Sequence, residues 1–128
     1  MKLILDTCVL LWMAGDPSKL SESARKALIP SNDFYVSAIS AFEIAIKNKK
    51  KKLTLPIDPW TWFQKVTRHF NIHEIPVSAR IAALAPEVDV PHADPADRII
   101  LASAIENGVP LVTSDQLIRK CPQVESVW

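Results

Sequence analysis

An apolar run that ends in an acid is the sequence feature that most constrains this fold. Leu3, Ile4 and Leu5 are consecutive, and Asp6 follows them directly. Successive apolar positions indicate a strand buried on both faces, which is typical of a parallel sheet covered by helices. Asp6 interrupts the apolar stretch, which ends by Gly15 and is therefore too short to cross a bilayer. We expect a buried strand of a soluble protein here rather than a membrane segment.

Strand-like and helix-like segments alternate along the rest of the chain. The predicted strands lie at 2–6, 34–37, 72–77, 110–113 and 124–128, and the predicted helices at 9–14, 21–28, 41–47, 59–70, 79–84, 95–107 and 116–120. Strands separated by helices favour βαβ units with right-handed crossovers. The length of 128 residues fits one domain. The predicted fold class is thus α/β, a single domain with a mostly parallel central sheet of about five strands flanked by helices.

Apolar spacing also predicts which helix faces are buried. The helix after the second strand is expected to carry Phe42, Ala45 and Ile46 on its apolar stripe. The next helix begins with Trp60 and Trp62. For these rings, core packing with one ring exposed and an interaction surface both stay open.

Four acids follow strands or begin helices in this pattern. Asp6 closes the first strand, and Asp115 comes two residues after the fourth. Glu43 lies in the first turn of the helix after the second strand, and Asp97 in the first turn of the helix before the fourth. In open parallel sheets, ligands bind beyond the carboxyl ends of the strands. We therefore expect the four carboxylates to gather at one edge of the sheet.

Such a cluster favours a divalent cation. Carboxylates a few ångströms apart raise one another's pKa or require a counter-ion. Mg²⁺ prefers oxygen ligands and phosphate, and it can polarise a phosphoryl oxygen and activate a water. A site rich in carboxylates and without cysteine suits Mg²⁺, or Mn²⁺, better than Zn²⁺.

Each acid also has a purely structural interpretation. Ser40 to Glu43 fits a capping box, in which Glu43 would bond back to the start of its own helix. Asp94 before a proline is a ready N-cap, and Asp97 would complement the helix dipole. Asp115 would be a turn residue. The joint placement of the four acids at strand ends is what favours function.

Several stretches together resemble the PIN-domain ribonucleases, specifically the VapC toxins of bacterial and archaeal toxin–antitoxin pairs. They are Leu3–Thr7, Ser37–Lys47, His92–Ala102 and Leu111–Asp115, and Val124–Trp128 also looks like the end of that family's chain. Each piece alone has low specificity. Four of them in order, over nearly the whole chain, make the resemblance strong.

The resemblance implies an Mg²⁺-dependent endoribonuclease that cleaves RNA phosphodiester bonds as the toxin of a toxin–antitoxin pair. The implied catalytic quartet is Asp6, Glu43, Asp97 and Asp115. Asp6 and Asp97 would bind one or two ions, and the other two acids would complete the shell and position the attacking water. Asp94 would be an extra acid found in a subset of the family. Thr113 or Ser114 would help to orient a water on the metal.

The implied partners are the RNA substrate and a separate antitoxin protein, and the family usually forms a homodimer or a larger toxin–antitoxin complex. The location is expected to be cytoplasmic, without a membrane partner. One departure from the family follows the Glu43 helix, where Gly-Lys-Leu is common and this chain has Lys49 to Lys52 before Leu53, without a glycine. The geometry of that turn is therefore in question.

A dense basic run supplies candidates for RNA contacts. The candidate RNA-binding residues are Lys47, Lys49, Lys50, Lys51, Lys52 and Arg98. With 15 Lys+Arg against 14 Asp+Glu, net charge does not indicate a nucleic-acid partner, so the distribution along the chain must decide. Lysines that complement a helix C-terminus are the alternative for the run. Arg98 could hold a phosphate or pair with an acid.

Two other function classes compete with a nuclease. A receiver-type Mg²⁺-binding module would have an acid pair after the first strand and an Asp after the third, whereas the chain has only Asp6 and then Pro76 to Ser78. A non-catalytic PIN-like scaffold is the second alternative, and the intact quartet argues against it. A metal site formed by His92 and Asp94 is a further possibility without other histidines nearby.

Overall fold

The computed structural model describes residues 1–91 and 94–128. His92 lies outside the described residues, as do the first two positions of the His92–Ala102 stretch to which it belongs. The possible His92–Asp94 metal site is therefore not described. The structure confirms the predicted fold class. Five parallel strands form one sheet in the order β3-β2-β1-β4-β5, which places β1 at its centre. The strands are β1 (Lys2–Leu5), β2 (Asp33–Ser37), β3 (Ile72–Ile75), β4 (Leu111–Val112) and β5 (Ser126–Val127).

Seven α-helices are found in the described part of the chain. They are α1 (Thr7–Gly15), α2 (Glu22–Ala27), α3 (Ala38–Lys49), α4 (Pro59–His69), α5 (Ala79–Leu84), α6 (Pro95–Asn107) and α7 (Gln116–Arg119), with short 3-10 turns at Pro17–Lys19 and Ala85–Glu87. All seven begin at a side-chain cap, for example Ser78 at α5 and Asp58 at α4. Gly108, at φ 62°, ends α6 in the left-handed conformation that favours glycine.

The sheet divides the core into two layers. Leu3 and Leu5 are fully buried in one cluster with Val36, and Ile4 is fully buried in the other with Ile100. Alternate residues of β1 thus pack on opposite faces, as expected for a strand covered by helices on both sides. Within residues 1–91 and 94–128, every helix is too short or too polar to cross a membrane.

The buried face of α3 differs from the predicted stripe. Ser40 and Ile44 are buried, whereas Phe42 is 59% exposed. The helix begins three residues earlier than predicted, with Ser37 as its N-cap. Ile44 packs into the core cluster of Leu3 and Leu5, so its side of α3 faces inward and Phe42 lies at the surface. The prediction for Phe42 was therefore wrong.

The turn after α3 uses a left-handed residue that is not glycine. Lys51 has φ 59°, at the position where the resemblance leads one to expect glycine. The backbone N–H of Lys52 donates to the carbonyl of Lys47 at 2.9 Å, and that of Leu53 donates to the same carbonyl at 3.3 Å. The turn therefore closes without glycine, at the steric cost of a side chain in the left-handed region.

Candidate active site

Three neighbouring strands and the helices near them bring acids to the carboxyl edge of the sheet. Asp6 follows β1 directly and caps α1, while Asp115 follows β4 and caps α7. Glu43 lies in α3, which follows β2, and Asp97 lies in the first turn of α6. The negative charges of Asp6, Glu43 and Asp115 all contribute to raising the pKa of Asp97. The structure therefore gathers the four acids in one region.

Asp6 is held by two hydrogen bonds in a buried position. Its side chain is 6% exposed, and Oδ1 accepts from the backbone N–H of Thr7 at 2.8 Å. Oδ2 accepts from the hydroxyl of Thr113 at 2.7 Å. Burial raises the pKa of Asp6, and these two hydrogen bonds act in the opposite direction because they stabilise the carboxylate. Thr113, rather than Ser114, thus forms the supporting contact seen among the described residues.

Glu43 is oriented by a hydroxyl from α1. The hydroxyl of Thr7 donates to Oε1 of Glu43 at 2.6 Å, and it lies 2.8 Å from the hydroxyl of Ser40. A threonine has one hydroxyl proton, which Glu43 accepts, so Ser40 must be the donor to Thr7. Burial raises the pKa of Glu43, and the Thr7 hydrogen bond opposes that rise.

The capping box expected at Ser40 to Glu43 is therefore not formed. Ser37 caps α3 instead, accepting from the backbone N–H of Ile39 at 3.2 Å. Thr7 and Ser40 were not among the sequence candidates. The one available signal was their hydroxyl groups, placed directly after Asp6 and three residues before Glu43.

Among the described residues, Glu43, Asp94 and Asp97 form a tight acidic group. One carboxylate oxygen from each lies within 4.8 Å of the others. Burial and then the charge of Asp94 raise the pKa of Asp97 to about 7. Asp94 also accepts from the backbone N–H of Asp97 at 2.9 Å, which confirms its predicted role as the N-cap of α6. Three oxygen donors without sulfur or nitrogen suit a hard divalent cation.

Asp6 and Asp115 lie beside this group rather than within it. Among the described residues, the group contains Asp97 but not Asp6, the other expected metal ligand. Both oxygens of Asp6 are engaged by Thr7 and Thr113. Oδ1 of Asp115 accepts from the backbone N–H groups of Leu117 and Ile118 at 2.9 and 3.2 Å, so this acid caps α7 as well.

A groove of about 340 Å³ extends from the acidic group along α3. Its lining includes Glu43 and Asp94 together with Lys47, Lys50 and Lys52. The positive charge of Lys47 also helps to lower the pKa of Glu43 and of Asp6, so this lysine lies close to the acids.

The other two lysines of the run, Lys49 and Lys51, are exposed and do not line this groove. The structure therefore separates the basic run into groove lysines and outer lysines.

Arg98 is engaged away from the groove. Its Nη2 donates to the carbonyl of Val90 at 2.8 Å, and its Nη1 donates to the carbonyl of Val88 at 3.1 Å. Longer contacts reach the carbonyls of Ala85 and Pro86, both at 3.4 Å. The guanidinium thus clamps the segment before α6. Arg98 was expected to bind a phosphate or to pair with an acid. The structure instead directs its donors to backbone carbonyls.

Comparison with known proteins adds independent information. The PIN domain family model matches residues 3–123. Ribonuclease VapC22 of Mycobacterium tuberculosis is 35% identical over 127 residues, which cover 98% of this chain and 97% of that protein.

Solved structures with the same fold come from complexes. VapBC2 of Rickettsia felis, bound to a DNA fragment from its promoter, superposes with a TM-score of 0.70 at 18% identity, covering 98% of this chain and 97% of that one. DNA-bound VapBC of Salmonella typhimurium gives a TM-score of 0.67 at 18% identity, covering 98% and 96%. At these identities the likeness concerns the fold.

Proposed function

Because this chain belongs to the PIN-domain family, we propose that it is a divalent-metal-dependent endoribonuclease, the toxin of a toxin–antitoxin pair. The observation that carries the proposal is the group formed by Glu43, Asp94 and Asp97, whose oxygens lie within 4.8 Å of one another. Three carboxylates at that separation are mutually repulsive without a cation. The relative named Ribonuclease VapC22 supports RNA as the substrate.

Each acid has a role in this proposal. Glu43, Asp94 and Asp97 would hold the ion, which we take to be Mg²⁺ or Mn²⁺, and Asp6 would contribute from its buried position. A bound cation of this kind would polarise a phosphoryl oxygen and lower the pKa of a water. Glu43, fixed by Thr7, and Asp115 would orient that water for in-line attack on the phosphorus.

The groove would hold the RNA backbone. Lys47, Lys50 and Lys52 line it next to Glu43, so their charges lie where phosphates flanking the scissile bond would pass. Contacts between lysines and phosphates are independent of sequence and weaken with salt. Arg98 is left out of this surface because its donors are already engaged with carbonyl oxygens.

Partners and location follow from the relatives. The two structural neighbours described above are VapBC proteins bound to DNA, and we propose that this chain is likewise paired with an antitoxin, in a homodimer or a larger toxin–antitoxin complex. We also propose that residues 1–128 form one nuclease domain and that the protein acts in the cytoplasm.

The test is cleavage of a panel of structured RNAs by the purified protein, with Mg²⁺ and with EDTA. Cleavage is expected only with the metal, and Asp6→Asn is expected to abolish it while leaving the fold intact. Asp89→Asn is the matched control, because Asp89 is an exposed acid outside the cluster. Absence of cleavage for every RNA would favour the non-catalytic scaffold, and cleavage by Asp6→Asn at the normal rate would remove Asp6 from the mechanism.

A further inference from the structure

Phe42 is an aromatic residue that the fold leaves at the surface beside the acidic group. Its side chain is 59% exposed, and it lines the same groove as Glu43, which follows it in α3. Ile46 and Lys50 come four and eight residues later and also line the groove. Residues at this spacing lie in one row on a helix surface. The row therefore presents an aromatic ring, an aliphatic side chain and a cation to whatever occupies the groove.

The charge around Phe42 favours a nucleic acid over a protein as the occupant. Lys47, Lys50 and Lys52 line the groove that the ring shares. The cores of protein–protein interfaces are enriched in aromatic residues but depleted in lysine. Surfaces that bind single-stranded nucleic acid combine a positive groove for the backbone with aromatic rings on which bases stack. The groove has both parts of the second pattern.

We propose that Phe42 is a specificity-determining residue that stacks on an unpaired base next to the scissile phosphate. The inference rests on the proposed function, which places the reacting phosphodiester beside Glu43. The lysines hold the backbone, and the ring holds the neighbouring base. In a duplex each base is already stacked on its neighbours, so the ring has no free base face to contact. Phe42 thus selects RNA that is single-stranded at the cleavage position.

The test measures binding apart from cleavage. A fluorescently labelled single-stranded oligoribonucleotide is titrated with protein in EDTA and, in parallel, in Ca²⁺, and anisotropy reports the Kd. Phe42→Ala is expected to weaken binding about 30-fold, the mid-range value for loss of one stacked base. Phe42→Leu is expected to bind as weakly as Phe42→Ala because it keeps apolar volume without a ring, whereas Phe42→Trp retains affinity. The Kd for a duplex of the same sequence is expected to change little in any of these Phe42 variants.

Trp60→Ala is the matched control, since Trp60 is 62% exposed and does not line the groove. It is expected to leave the Kd unchanged, and unfolding midpoints verify that each variant is folded. Equal affinities of the wild type and Phe42→Ala, or full affinity of Phe42→Leu, would overturn the proposal.

Two further results would also overturn it. One is failure of the wild type to bind single-stranded RNA in either buffer. The other is loss of a protein partner by Phe42→Ala while RNA affinity is kept, which would assign the ring to a protein interface. A failure to cleave with Mg²⁺ counts against the proposed function alone, because the Kd is measured without cleavage.

Discussion

The hydroxyl of Thr113 donates a 2.7 Å hydrogen bond to Oδ2 of Asp6. Thr113 directly follows β4, the strand that pairs with β1. Both side chains are buried. The bond fixes the orientation of Asp6 and stabilises its ionised form, since the hydroxyl acts on the pKa of Asp6 in the direction opposite to burial. The carboxylate is thus held ready for a cation or a water at the edge of the sheet.

Removal of the Thr113 hydroxyl is expected to weaken metal-dependent cleavage more than it lowers the stability of the fold. Thr113→Val keeps the shape of the side chain but removes the donor, and loss of a residue that orients a ligand typically lowers metal affinity or activity about 10- to 100-fold. Titration of cleavage rate against Mg²⁺ concentration measures the effect. Thr113→Ser retains a hydroxyl and is expected to stay near the wild-type value; an equal loss in both variants would contradict an orienting role.

The raised pKa of Asp97 predicts a dependence of stability on pH in the metal-free protein. The folded protein has a pKa of about 7 at Asp97, against an ordinary value of 3.8. Between these values the folded state holds a proton that the unfolded state has released, so the free energy of unfolding falls as pH rises through this window. Asp97→Asn removes this loss and is expected to stabilise the protein in EDTA at about pH 8 by about 1–2 kcal/mol, allowing for screening by solvent at this half-buried site.

Urea unfolding in EDTA, from about pH 4 to about pH 8, measures that effect. The free energies of unfolding of the wild type and of Asp97→Asn are expected to converge at the acidic end of this range. Asp89→Asn serves as the surface control. Addition of Mg²⁺ at the upper pH is expected to stabilise the wild type more than Asp97→Asn, because a ligand of the folded state stabilises it by mass action. A parallel pH dependence in wild type and Asp97→Asn would show that other groups are responsible.

Substitutions at Asp94 separate its two roles. Asn retains the oxygen that accepts from the backbone of Asp97 and removes the charge, while Ala removes both. Asp94→Asn is expected to keep its stability but to weaken metal binding, with a smaller loss of cleavage than Asp97→Asn. Asp94→Ala is expected to lose about 1 kcal/mol of stability as well. Equal losses of cleavage rate in Asp94→Asn and Asp97→Asn would show that both acids contribute equally to metal binding.

The groove lysines and the outer lysines are expected to contribute unequally to RNA binding. The double variant Lys50→Gln, Lys52→Gln is expected to weaken binding and to flatten its salt dependence, by about 0.7 in the logarithmic slope for each phosphate that the protein no longer neutralises. Lys49→Gln, Lys51→Gln removes the same charge outside the groove and is expected to leave the slope nearly unchanged. The measurement is the Kd for RNA across a salt series. Equal slopes in the two double variants would show that the lysine run is a solvated surface without a role in RNA binding.

The left-handed turn after α3 predicts a stabilising substitution. Lys51→Gly removes the steric strain of φ 59° and is expected to raise the free energy of unfolding by about 0.5–1 kcal/mol, after the greater freedom of glycine in the unfolded chain is counted. Lys49→Gly, at the last residue of α3, is the control and is expected to destabilise by up to about 1 kcal/mol, the cost of glycine in a helix interior. Chemical denaturation measures both, and destabilisation by Lys51→Gly would show that its side chain compensates the strain.

Local signals in the sequence were enough for most of the fold. Pro95 after Asp94 and Gly108 after Asn107 mark both ends of α6, and the structure has the helix at Pro95–Asn107. Four of the five strands proved shorter than predicted, most clearly β5, which is Ser126–Val127 rather than 124–128, because pairing partners decide where a strand ends. Apolar runs do not carry that information.

The site was less accessible to sequence reasoning. The acids could be placed at one edge of the sheet because strand ends and helix starts define that edge. The contacts of Thr7 with Ser40 and Glu43 join residues more than thirty positions apart and have no periodicity, so they could not be predicted. Phe42 was misassigned because helical spacing shows that a stripe exists, while packing against the core, here through Ile44, decides which side of α3 turns inward.

The central position of β1 has a consequence for how the molecule is made. The first strand of the chain lies between β2 and β4, and β4 is among its last elements. Chains emerge from the ribosome N-terminus first, so Asp6 lacks its Thr113 partner until the 107 residues that follow it have been synthesised. A prematurely terminated product would carry Asp6 and Glu43 but no complete cluster. Assembly of the acidic centre therefore waits for β4 and for the residues that follow it.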